Sequence, residues 1–142
     1  MSAPRNRFAT IALVALAGAV AFGVGAESTA AQEVRTTLDG VYTDEQAERG
    51  RATYVRTCSQ CHTLDWYTGD LMKAWAEAPV FNLFEVISTT MPEDNPGSLP
   101  RRDYVDMIAY ILKVNGMPPG DAELSTGASR LRQILFRWSA GS

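Results

Sequence analysis

Histidine is almost missing from this 142-residue chain, and His62 is the only one. A single imidazole excludes a metal site built from several histidines. Cysteine is nearly as scarce: Cys58 and Cys61 are the only two, too few to support a disulfide scaffold. Cations are outnumbered, 13 Lys and Arg against 16 Asp and Glu, for a net charge of −3. Nucleic acid as a partner is therefore excluded, since it calls for a basic patch. There are no internal repeats, no phosphate-binding glycine loop and no paired carboxylates set for acid–base work. Long hydrophobic runs are absent except for one, Phe8 to Ala26.

That run reads as a targeting segment. Arg5 and Arg7 precede it, and Val24-Gly25-Ala26 offers a small-residue cleavage site, with Thr29-Ala30-Ala31 as a second. Residues 1–26 are thus expected to be a signal peptide. Without an Arg-Arg pair, the general secretory route is favoured over the twin-arginine one. The alternative is an uncleaved anchor, because a 19-residue apolar run could just span a bilayer. Its richness in Ala and Gly makes it weakly hydrophobic. Either way the domain is expected outside the cytoplasm, in the periplasm. Removing residues 1–26 leaves 11 basic and 16 acidic residues, a net of −5. The remainder is uneven. Residues 125–142 carry Arg130, Arg132 and Arg137 and no acid, so residues 27–124 hold a net of −8. Such an acidic body is either simply solvated or steers the protein toward a basic partner.

Both cysteines and the histidine fall in one pentapeptide, Cys58-Ser59-Gln60-Cys61-His62. This is the attachment signature of c-type haem. Two thiols three positions apart can each add to one vinyl group of the same porphyrin, and the next residue is then held against the iron. A zinc site would lack a fourth ligand. A thioredoxin-like redox pair would need a βαβ context, whereas this sequence reads as helical. With His62 on the iron, a second histidine ligand from the same chain is impossible, and so is a histidine-based triad.

The rest of the chain is expected to wrap that haem. Residues 27–41 are small and polar and read as a flexible lead-in. Thr43-Asp44-Glu45-Gln46 looks like a capping box. A helix from about Asp44 is expected to reach the cysteines, with Ala47, Gly50, Tyr54 and Thr57 on one stripe. Gly50 costs such a helix about 1 kcal/mol against Ala, a cost that close approach of another backbone would explain. Residues 63–70 read as a loop, with Asp70 capping a short helix from Leu71 to Ala78. Pro79 suits the first turn of the next helix, which is apolar all round through Val80, Phe81, Leu83, Phe84, Val86 and Ile87. Pro92 pushes Met91 into extended geometry, so Thr89-Thr90-Met91-Pro92 should leave that helix as an ordered loop able to present a thioether. Arg101 to Asn115 is the best-defined helix, with Gly116 as its stop. Thr126 to Ser139 is expected to form an amphipathic helix docked on the fold, or one that meets a membrane surface or a partner. The expected organisation is a haem domain over 42–120 and an amphipathic, basic C-terminal extension over 121–142.

In this order of features the sequence resembles class I (mitochondrial-type) cytochromes c over about residues 40–116. The likeness rests on a helix with Gly50 and Tyr54, the Cys58–His62 run, Met91 in a loop, and a closing helix with Met107 and Tyr110. A narrower likeness lies in Thr89-Thr90-Met91-Pro92, Asn95-Pro96-Gly97-Ser98-Leu99, Tyr104, Ala109-Tyr110-Ile111-Leu112 and Asn115-Gly116. These resemble the small cytochromes c associated with quinoprotein (PQQ-dependent) alcohol dehydrogenases. The resemblance implies an all-α fold of four to five helices around one covalent haem c, with the first and last core helices crossing. It implies Cys58 and Cys61 as thioether sites and His62 and Met91 as axial ligands, Met91 also on its loop geometry. Among the other methionines, Met72 is expected to line the pocket, and Met117 would have to fold back. Trp66 and Trp75 are candidates to hydrogen-bond a haem propionate, and Arg101 and Arg102 to neutralise one. The implied function is electron carriage rather than enzymatic turnover, between a donor such as a periplasmic quinoprotein dehydrogenase and a terminal oxidase or another cytochrome. The alternative is a haem enzyme or ligand sensor with an open distal site.

Overall fold

Thr43 starts the first helix, as its position before two acids and a glutamine suggests. The computed structural model describes residues 34–139, so the leader expected over 1–26 lies outside them. α1 spans Asp44–Thr53, and Thr43 Oγ1 accepts from the Gln46 amide at 3.2 Å. The capping box is only half made. The Gln46 side chain does not return to Thr43. It is buried, donates to the Leu124 carbonyl at 3.0 Å and accepts from the Leu124 amide at 2.7 Å. One amide side chain thus satisfies both polar groups of a backbone unit in the C-terminal region, which would otherwise be costly to bury.

α1 runs on as a single π turn, Tyr54–Cys58, before the chain leaves the helix. A short 3₁₀ turn at Leu64–Tyr67 replaces part of the expected loop. α2 is Gly69–Lys73, shorter and earlier than the Leu71–Ala78 helix expected; Asp70 lies inside it and no side chain caps it. α3 covers Val80–Thr90 and α4 Arg101–Val114, the latter one residue short of the expected end, with Gly116 at φ 77° beyond it. On α4, Val105, Ile108, Ala109, Ile111 and Leu112 are all fully buried. Burying each of the larger four is worth roughly 1.5–3 kcal/mol.

The crossing of α1 and α4 explains Gly50. A Cβ there would overlap the Asp106 carbonyl and stand 2.9 Å from Tyr110 Cβ. Tyr54, one turn on, packs its ring 5.6 Å from that of Tyr110. Beside the crossing, Asp106 is buried and receives Arg49 in two hydrogen bonds, 2.9 and 3.2 Å long. Arg49 also meets Glu123 at 2.7 Å, and these carboxylates hold its guanidinium above the usual range.

The C-terminal stretch departs from expectation. In place of a helix over 126–139, α5 covers only Ala128–Arg132, and the chain then extends as β2, Ile134–Leu135. β2 pairs in parallel with β1, Arg35–Thr36, with Arg35 opposite Ile134 and Thr36 opposite Leu135. Its other side is paired too. The Glu77 amide donates to the Phe136 carbonyl at 3.0 Å, and the Phe136 amide to the Ala78 carbonyl at 2.9 Å. Leu131, Ile134 and Phe136 are buried, and Arg132 lies 3.6 Å over the Phe81 ring of α3. The region read as a basic extension thus packs into the core through Leu131, Ile134 and Phe136. From Val34 onward, the stretch read as a flexible lead-in is ordered by the same pairing, and Thr37 and Val41 are buried.

Candidate haem site

The π turn gives the cysteines their place. The Ser59 amide donates to the Tyr54 carbonyl at 2.9 Å, an i to i+5 bond that closes the wider turn ending at Cys58. The Cys61 and His62 amides then both donate to the Cys58 carbonyl, at 3.2 and 2.9 Å, and fold the pentapeptide into a compact turn. The Tyr54 hydroxyl donates to the His62 carbonyl at 3.0 Å. The imidazole of His62 stands edge-on to Trp66 and Tyr67, at ring distances of 5.2 and 6.0 Å. Tyr67 is tied to the end of α4, where Nδ2 of the capping residue Asn115 donates to its carbonyl at 2.6 Å. Burial pushes the Tyr67 phenol well above its usual range. It also raises the Cys58 thiol, against the pull of Arg56. Cys58 and Cys61 form no disulfide.

The opposite wall is the end of α3. The Met91 amide still donates to the Ile87 carbonyl at 3.1 Å, but Met91 itself is extended, at φ −122° and ψ 151°, and the following peptide bond to Pro92 is cis. The Gly97 amide turns back onto the Met91 carbonyl at 3.2 Å, and the Tyr104 hydroxyl donates to the same oxygen at 2.7 Å.

Between these walls lies a cavity of about 670 Å³, lined by Cys58, Cys61, His62 and Met91 together. Its size lies within the roughly 300–1,000 Å³ of cofactor sites. Ile87, Leu99, Met107 and Ile111 supply an apolar lining, and the exposed Arg56, Glu93 and Asp94 a polar one. His62 Nδ1 is buried without a hydrogen-bond partner, so the imidazole is not committed to the protein's own network. Two thiols, an imidazole, a thioether and an apolar slot are the donor set a covalently attached haem needs, and the residues fit the group.

Several expectations change. Met72 does not line the cavity; it is buried in the core. Met117 is buried as well, its carbonyl accepting from the Tyr42 hydroxyl. Trp66 and Trp75 are not among the lining residues, and Trp75 packs against the core. Arg101 stacks 4.1 Å over Phe84 and donates to the Thr126 carbonyl, while Arg102 faces Asp106 at 3.7 Å. The cation that does line the cavity is Arg56, held by Thr53 Oγ1 and Asp103, each at 3.3 Å. Its place two residues before Cys58 was the available signal. The narrower likeness included Tyr104, but nothing in the sequence pointed to its bond with Met91.

Residues 45–111 match the family model described as cytochrome C oxidase, cbb3-type, subunit III. That match supports a c-type cytochrome domain over this region. The domain carries covalently bound haem c with its iron, in the small all-α cytochrome c fold, and its function is haem-based electron transfer. The match ends at Ile111, before the C-terminal stretch that completes the core of the fold. Comparison with curated proteins and with solved structures finds no match.

Proposed function

We propose that this cytochrome carries one electron at a time on a haem joined to Cys58 and Cys61, with His62 and Met91 as axial ligands. The observation that supports the ligand set is the single cavity whose lining includes all four side chains. The haem, when bound, supplies exchange between ferrous and ferric iron. The chain's residues do the rest. Tyr54 and Asn115 fasten the histidine side to α1 and α4. Ile87, Leu99 and Ile111 exclude water from the interior, and Arg56 is placed to offset a propionate charge. Held by His62 and Met91, a haem would have a higher reduction potential than one held by two imidazoles.

The chain is read as exported by residues 1–26 to the periplasm. There it takes electrons from a dehydrogenase of the quinoprotein type and passes them to a terminal oxidase or another cytochrome. The segment from Thr89 to Leu99 supports the donor class by resemblance, and the description of the matching family supports the acceptor class.

Two measurements test the ligand set. The mass of the denatured, exported protein should include that of haem, held by bonds that survive unfolding. Met91→Ala should keep that mass, lose the sulfur-to-ferric-iron charge-transfer band, lower the reduction potential and bind carbon monoxide rapidly when reduced. An unchanged band and potential would move the assignment to Met107, the other methionine lining the cavity among the described residues.

A further inference from the structure

Tyr104 sits on α4, 4 % exposed, with its ring edge-on to Phe84 of α3 at 6.5 Å. It is also part of the cavity lining. Its hydroxyl is used twice. It donates to the Met91 carbonyl at 2.7 Å and accepts from the Leu99 amide at 3.3 Å. Those two groups are the two ends of the loop that carries the proposed sixth ligand. The loop's interior bonds, Asn95 to Pro92, Gly97 to Met91 and Ser98 to Asn95, are all local. Among the hydrogen bonds described for residues 91–99, the two to Tyr104 are those that reach a different helix.

We infer that Tyr104 is a positioning residue for Met91: its hydroxyl locks both ends of the 91–99 loop to α4 and so sets how readily the thioether gives way to another ligand. The inference rests on Met91 being that ligand. A thioether is a weak, uncharged donor, so its place on the iron depends on how little the loop has to be ordered to keep it there. A loop pinned at both ends to a buried helix has already lost that freedom, and the ligand meets the iron at high effective concentration. Burial of Tyr104 keeps water from replacing either bond. Tyr104→Phe preserves the ring, its packing on Phe84 and the helix, and removes only the lock.

The test is a titration of the ferric, haem-loaded protein with imidazole, read by loss of the sulfur-to-iron band, on the wild type and three variants. Tyr104→Phe should bind imidazole more tightly than wild type by about tenfold or more, the change that loss of two ordinary hydrogen bonds gives. Tyr42→Phe is the control for a purely structural effect. It removes an equally short, buried tyrosine-to-carbonyl bond, to Met117 at 2.7 Å, away from the cavity, and should leave imidazole affinity at the wild-type value. Equal affinities for Tyr104→Phe and wild type, or equal gains in Tyr104→Phe and Tyr42→Phe, would overturn the lock while leaving Met91 as ligand. Persistence of the band in Met91→Ala would overturn the ligand assignment, and the lock with it.

Discussion

Replacing Gly50 with alanine adds one methyl group at a point where there is no room for it. On an exposed helix that change would gain up to about 1 kcal/mol. Here the new atom would overlap the Asp106 carbonyl, which is backbone of a buried helix and cannot swing aside. Overpacking typically costs about 1–3 kcal/mol, and a backbone clash belongs at or above the top of that range. The denaturation midpoint of Gly50→Ala should fall accordingly, and an unchanged midpoint would show that the helices do not cross there. A second single-residue prediction concerns acid. The Asp39 carboxylate accepts from the Thr36 amide at 2.6 Å and from its hydroxyl at 2.9 Å, and these bonds hold its pKa below the usual carboxylate range. A group depressed in the folded state contributes stability above its unfolded pKa and loses it as pH falls through the lower, folded one. NMR shifts of Arg35 and Thr36 should therefore move in that acid window, and stay flat in Asp39→Asn. Gly50 and the pentapeptide were legible because each is an anomaly in its own neighbourhood. Arg49, Gln46 and Tyr104 were not, because the partner that gives each its role lies at Asp106, Leu124 or Met91, at a separation no local pattern encodes.

The element most at odds with expectation is the C-terminal strand. Its apolar residues Leu131, Ile134, Leu135 and Trp138 satisfy a helical period, but Ile134, Phe136 and Trp138 also alternate, and the second reading is the one realised. Two such short readings cannot be separated locally. The choice is made by open hydrogen-bonding groups on Arg35, Thr37, Glu77 and Ala78, about 100 and 60 residues earlier. By contrast, α4 was readable almost to the residue, because fourteen positions of one period outweigh any tertiary preference. Phe136, fully buried between two backbone partners, is the keystone of the strand. Phe136→Ala should cost about 3–5 kcal/mol, and deleting residues 125–142 should abolish folded, haem-loaded protein. Wild-type yield and spectrum in the deletion would make this stretch a docking appendage.

For the whole molecule, the charge is one-sided along the chain and carries over to its reactions. Residues 27–124 hold a net of −8, offset by the three arginines of the last eighteen residues and by Arg5 and Arg7. Two of those cations are already engaged in the fold, Arg132 over Phe81 and Arg137 with Glu77 at 2.8 Å. The cavity lining repeats the imbalance, with Glu93 and Asp94 against Arg56. An electron enters or leaves through an encounter, so the field at long range acts on the association step more than on the transfer itself. Small redox reagents isolate that step without requiring a partner. Reduction or oxidation by a cationic complex should be fast at low salt. It should slow by about tenfold or more as the screening length falls from about 30 Å at 0.01 M to about 8 Å at 0.15 M. An anionic complex of similar driving force should show the opposite slope, because salt relieves its repulsion. Parallel slopes, or none, would mean that the surface around the cavity is electrically neutral despite the acidic body, and that a basic partner is not what this protein is shaped to meet.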